Sequence, residues 1–148
     1  MFTFLIICSI IPCTANAATL STENMTTCEY LEDGSILITT ITLSNSTRSS
    51  NTITAQKNQY YCDSNGNKLW CVTIIGTFTY TGSSSECTKA SVNTAVYNSN
   101  WKISNSNASR SGNIATATAT AKKFYNSTVI DTKSLTVSLK CDKNGNLS

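Results

Sequence analysis

No histidine occurs anywhere in the 148 residues. Histidine is the side chain whose ordinary pKa lies near neutrality, so proton shuttling of the usual kind has no carrier here. A carboxylate pair can replace it, as in glycoside hydrolysis. The eight acidic residues, however, fall in the N-terminal region, in turns, or beside a salt-bridge partner. Glu29, Glu32 and Asp33 form their one cluster, and Gly34 directly after them marks a turn. The sequence therefore predicts no enzyme and no catalytic residue. Metal-binding spacing is missing as well: there is no Cys-x-x-Cys, and no histidine to complete a site. The stretch Asp63-Ser64-Asn65-Gly66-Asn67 has a calcium-loop flavour but stops short of the carboxylates and closing Glu such a loop needs. It reads better as a hairpin tip whose Asp and Asn bond to backbone, and Asp142 to Asn146 repeats the pattern. No metal and no cofactor are expected.

Charge is also scarce. Charged residues make up 13% of the chain, with a formal net charge of +3. They are scattered, and Lys122-Lys123 is the one adjacent basic pair, so no nucleic-acid footprint is visible. Long apolar runs are missing too. Phe2 to Pro12 is apolar but too short for a spanning helix, which needs roughly 20 residues. Small residues at Ala15 and Ala17 predict an export signal over residues 1–17, cut before Ala18, although no Lys or Arg precedes the apolar stretch. Cys13 follows Pro12, which suits a lipid-attachment site poorly, and Cys8 lies inside the apolar stretch; both leave with the signal. The expected location is secreted and extracellular, with no membrane span.

What is present is Ser, Thr and Asn in period-two runs. Helical signals are confined to a weak amphipathic stretch near residues 19–27. Seven β runs are readable at 35–43, 51–61, 69–80, 88–97, 101–106, 113–125 and 128–140, separated by Asn, Gly and Ser. In 69–80, Trp70, Val72, Ile74, Phe78 and Tyr80 share one face, with Gly76 relieving the crowd, and Ile53, Ala55 and Tyr61 join that face from the preceding run. For the last two runs, a tip at Asn126-Ser127 aligns Phe124 with Val129, Thr118 with Leu135, Thr116 with Val137 and Ile114 with Leu139. It also sets Lys122 against Asp131. This register buries Thr116, Thr118 and Thr120, a hydroxyl row otherwise suited to binding ice or another surface. Ala115, Ala117, Ala119 and Ala121 are left on a flat outer face. The predicted domain organisation is a signal (1–17), an N-terminal extension (18–34) and one domain (35–148). The expected fold is an all-β antiparallel two-sheet sandwich, immunoglobulin-like at most in architecture, with a small β-barrel as alternative.

Five cysteines remain after the signal, and an oxidising destination favours bridges. Cys62 and Cys71 flank a hairpin with two plausible tips. A Gly66-Asn67 tip sets the two thiols opposite each other, whereas Asn65-Gly66 leaves them diagonal. A Cys62–Cys71 bridge is expected and would select the first register or require a bulge. Cys87–Cys141 is then the second closure, over a loop of about 50 residues and worth roughly 4 kcal/mol on the chain-entropy account. Cys28 is the leftover, unpaired or linking two copies in a disulfide-bonded dimer.

For function, exposed aromatics beside amides suggest a ligand surface. Tyr60 and Tyr61 are strand neighbours, so one of them leaves the core. Tyr97 and Trp101 bracket Asn98-Ser99-Asn100 and are expected to stand side by side. Tyr60, Tyr97, Asn98, Asn100 and Trp101 are thus the candidate ligand residues, with a cell-wall glycan or a surface protein as partner. The competing reading makes Trp101 a cap on the core. The alternative function is a structural or self-associating surface protein that uses the flat Ala/Ser/Thr face.

Three stretches together, GTFTYTGSSSECTKASV (76–92), VYNSNWKISNSNASRSGNIATATATAKKF (96–124) and TKSLTVSLKCDKNGNLS (132–148), resemble a group of small exported proteins of uncharacterised function from clostridia-like Gram-positive bacteria. The resemblance includes Cys87 and Cys141 and carries no ligand or catalytic residue onto this chain. It implies a bacterial host, in which the sequons at Asn24, Asn45, Asn107, Asn126 and Asn146 are silent. It also implies that the Cys62/Cys71 pair is an addition to the group's pattern.

Overall fold

A computed structural model of the protein describes residues 25–43 and 51–148. The expected signal, its cleavage before Ala18, and Cys8 and Cys13 lie outside the described residues. Eight strands follow one another: β1 (Met25–Tyr30), β2 (Ile36–Leu43), β3 (Thr52–Cys62), β4 (Lys68–Tyr80), β5 (Ser85–Val96), β6 (Trp101–Ser111), β7 (Ile114–Tyr125) and β8 (Thr128–Lys140). The first five form one antiparallel sheet in chain order, and the last three form a second. Each sheet is thus a plain meander, and the likeness to immunoglobulin domains ends at two facing sheets, because no strand crosses between them out of order. All seven expected runs are strands, β6 reaching Ser111 rather than 106. The stretch read as an N-terminal extension supplies β1, which pairs with β2 from Met25↔Ile41 to Tyr30↔Ile36.

The core lies between the sheets. Trp70, Val72, Ile74 and Phe78 of β4 are completely buried, and Ile53, Ala55 and Tyr61 of β3 lie beside them, as the period-two pattern requires. The second sheet answers with Ala115, Ala117, Ala119 and Ala121 from β7 and Leu135, Val137 and Leu139 from β8. Small side chains there leave room for the large rings opposite. The sheets meet closely at Gly76: a Cβ built on it would sit 2.6 Å from Phe78 Cε2 and 3.1 Å from Ala115 Cβ.

That alanine face corrects the register expected for the last hairpin. Asn126 and Ser127 form the tip, with φ of 46° and 64° as a type I′ turn requires, and Phe124 does pair with Val129. Between Lys123 and Phe124, however, the ladder shifts by a residue: Lys123 pairs with Asp131, Ala119 with Leu135, Ala117 with Val137 and Ala115 with Leu139. A one-residue bulge exchanges every later side chain between the two faces. Alanine goes inward and threonine outward. Thr116 and Thr120 then hydrogen-bond laterally to Ser138 (3.0 Å) and Ser134 (2.8 Å). With Asn105, Asn107 and Ser109 of β6, these rows make the middle of the second sheet's outer face an uncharged grid.

The two Asp-x-Asn-Gly-Asn turns adopt one structure. Asp63 Oδ1 accepts from Asn65 N and Asn67 N, both at 2.9 Å, and Oδ2 accepts from Asn67 Nδ2 at 2.9 Å. Asp142 makes the same three bonds with Asn144 and Asn146. These bonds hold both carboxyls below the usual carboxylate range. Asp33 lies far below it, through Lys133 Nζ at 2.8 Å and through Ser35. A group with a depressed folded pKa contributes stability that is complete above the unfolded value of about 3.9 and is lost as pH falls through the folded value. With no histidine to titrate between pH 5 and 8, thermal melts should be level over that range and decline below about pH 4. In an Asp63→Asn/Asp142→Asn variant the acid decline should be shallower; an unchanged slope would assign it to other groups.

Neither expected disulfide is present. All five described cysteines are free thiols. Around Cys62 the wide Asp63–Asn67 turn and a bulge set Cys62 opposite Lys68 and Cys71 opposite Tyr60. The thiols are therefore offset along the hairpin, at least as far as the diagonal separation of about 7–8 Å, whereas a bridge requires Cβ atoms near 3.8 Å. Cys87 and Cys141 are both buried, but the Gly112-Asn113 turn separates their backbones: Gly112 O accepts from Cys87 N, and Asn113 O from Cys141 N. Burial pushes both thiols up in pKa. The case for a disulfide-linked dimer through Cys28 falls with these bridges, because Cys28 was the leftover only while the other four were counted as pairs.

Candidate functional site

Four turns gather at one end of the sandwich: residues 31–35, 63–67, 97–100 and 126–127. Opposite them, at the far end, lie the 81–84 and 112–113 turns and the C-terminal segment. The expected ligand residues all belong to the first end, but the chain divides them between three surroundings.

Tyr60 and Tyr97 meet on the outer face of the first sheet, ring centroids 6.2 Å apart. Lys68 Nζ lies 3.9 Å from the centre of the Tyr60 ring, a cation–π contact. Tyr97 is 53% exposed, and its hydroxyl lies 3.7 Å from Cys71 Sγ. Partial burial and that sulfur contact push its pKa up to about 12. The ladder extends this patch across the whole sheet, from Cys28 through Ile38, Tyr60 and Cys71 to Ala95. The neighbouring row is polar instead: Thr73 donates to Asn58 (2.7 Å), which donates to Thr40 (3.1 Å).

Trp101 does not stand beside Tyr97. It turns inward, 3% exposed, with Tyr61 at 5.6 Å and Trp70 at 6.4 Å between ring centres. The three rings close this end of the core, so Trp101 caps it from within. Asn98 is structural as well: its Oδ1 accepts from Asn100 N at 2.9 Å and its carbonyl from Trp101 N at 3.0 Å. Both bonds set the sharp passage from β5 to β6.

Asn100 has a third setting. It borders a groove of about 480 Å³ lined by Ser99, Asn100, Lys102, Phe124, Tyr125, Asn126 and Ser127. One wall is the 97–100 turn and the other is the type I′ tip, joined by a 2.7 Å bond from Phe124 N to Asn100 O. Lys102 Nζ lies 5.2 Å from the Phe124 ring centre, and Tyr125 is 66% exposed. Sequence reasoning located the tip but not its neighbour across the sheet. Only the pairing of β6 with β7, Trp101↔Lys123 and Lys102↔Lys122, brings tip and turn together.

Among the described residues, no group of His, Cys, Asp and Glu side chains could hold a metal, and no helix is long and apolar enough to cross a membrane. Comparison with protein-family models, with curated proteins and with solved structures returns no match for the chain.

Proposed function

We propose that the chain is an exported, non-enzymatic binding module whose ligand surface is the turn end of the sandwich. The observation that carries this reading is the 480 Å³ groove, with Phe124 and the exposed Tyr125 on one side and Asn100 on the other. Its size falls within the range of small-ligand sites, and it combines ring faces with a few convergent polar groups. The carboxylates support a role without catalysis, because Asp33, Asp63 and Asp142 are each engaged in holding a turn. Export is supported by the apolar segment and small-residue site of residues 1–17, and by the resemblance to small exported bacterial proteins.

Nuclear magnetic resonance titration of the labelled protein with panels of sugars, nucleotides and short peptides tests the reading. Shifts should concentrate at residues 99–102 and 124–127, and a Tyr125→Ala variant of unchanged melting temperature should lose them. Shifts confined to the Thr, Ser and Asn rows at 105–109, 116–120 and 134–138, on the outer face of the second sheet, would transfer the function there.

That outer face favours a second reading, self-association. Its Thr118, Thr136, Asn105 and Asn107 are exposed and uncharged. Sedimentation over a wide concentration range decides: association abolished by Thr118→Lys supports it, and a monomer throughout returns the assignment to the groove.

A further inference from the structure

Lys102 and Lys122 are directly opposed on adjacent strands, both on the outer face of the second sheet. Like charges so placed repel and destabilise a ladder. Among the described residues neither ammonium has a carboxylate in salt-bridge range, the single ion pair being Lys133–Asp33. Lys102 also lines the groove and lies over Phe124. A ligand-sized groove with walls of aromatic rings, amides and hydroxyls thus carries Lys102 in its lining and Lys122 on the paired position of the next strand, without a counter-charge for either.

Resting on the binding-module reading, we propose that the groove takes a small anionic sugar, a sugar acid or a sugar phosphate. The anionic group lies between the Lys102 and Lys122 ammonium groups. One face of the sugar ring stacks on Phe124 or Tyr125, and its hydroxyls exchange hydrogen bonds with Asn100 and Asn126. Such a ligand supplies the missing negative charge and turns the repulsion within the pair into shared attraction. It also uses the ring faces that a bare ion leaves unused. A neutral sugar satisfies the walls but leaves the lysine pair uncompensated.

The probes are glucose, glucuronate, glucose 6-phosphate and inorganic phosphate, titrated against the full chain at low and moderate ionic strength. Glucuronate and glucose 6-phosphate should bind about tenfold more tightly than glucose or phosphate, and added salt should narrow the difference. Whichever of the two binds more tightly identifies the anionic group. Lys102→Gln and Lys122→Gln should each weaken the charged sugars several-fold. Lys140→Gln, on β8 at the other end of the sheet, should change nothing. Glucose binding as tightly as the charged sugars overturns the anionic assignment and keeps the module. Phosphate binding as tightly as glucose 6-phosphate reduces the site to an adventitious ion only. Absence of any shift at Phe124 and Tyr125 with every probe overturns this proposal; if the nucleotide and peptide panels also leave the groove unshifted, the module reading falls with it.

Discussion

Lysine at position 117 should unfold the domain, while lysine at position 118 should be tolerated. Ala117 is fully buried in the described structure, facing the opposite sheet. An ammonium placed there has no partner, and burying an unpaired charge is among the few changes that cost more than about 4 kcal/mol. That is a large share of the roughly 5–15 kcal/mol that holds a native domain folded. Thr118 points outward beside Thr136 and Asn107, where lysine costs about 1 kcal/mol or less, mainly through lower β propensity. Urea unfolding midpoints of Ala117→Lys and Thr118→Lys measure the difference directly. The opposite order would restore the unbulged hairpin and remove the account of this sheet given above.

A double-mutant cycle at Gly76 and Phe78 should give the second large effect. Phe78 is fully buried, and Phe78→Ala should cost about 3–5 kcal/mol. Gly76→Ala alone forces a methyl to within 2.6 Å of Phe78 Cε2 and 2.7 Å of Cζ, an overpacking cost of about 1–3 kcal/mol. Once Phe78 has been cut back to alanine, those atoms are gone. Only the 3.1 Å approach to Ala115 Cβ then remains, and alanine at 76 should cost far less, because glycine loses more backbone freedom on folding than alanine, by about 0.5 kcal/mol. The cost of Gly76→Ala therefore shrinks between backgrounds, a coupling that contacting residues show and distant ones do not. Simple additivity in guanidinium unfolding would mean that the ring does not lie over the glycine.

Strand identity was legible because it is local. Trp70, Val72, Ile74 and Phe78 alternate with Cys71, Thr73 and Thr77, and a pleated chain has one way to bury such a series. The two Asp-x-Asn-Gly-Asn turns were legible for a similar reason: an Asp side chain reaches the backbone a few residues ahead without outside help. The hairpin tip at Asn126-Ser127 was also found correctly. What misled was the next step, counting pairs outward from that tip. The bulge at Lys123/Phe124 leaves no local mark, and a ladder counted without it exchanges the faces. Alternating Ala and Thr in β7 gave no means of choosing, since both are small and either row suits a pleated surface. The Cys62–Cys71 bridge failed for the same reason, a bulge and a wider turn at the end of the strand.

The candidate site divides along the same line. Tyr97 and Asn100 were identifiable as residues able to face a ligand, but whether an aromatic points out or in depends on which sheet its strand joins. Tyr97 ends β5 and packs on Tyr60, while Trp101 opens β6 and closes the core. Phe124, Tyr125 and Lys102 come to line the groove only through strand pairing across the second sheet.

By itself, the amino-acid sequence determined a chain of alternating strands with self-contained turns and no ordinary proton carrier, because those properties depend on neighbours a few residues away. Tertiary structure alone decided which face of β7 is buried, that the described cysteines form no pairs, and that a groove bordered by Lys102, with Lys122 across the ladder from it, forms at the turn end. Each of those depends on register, and a single inserted residue in one strand is enough to reset it.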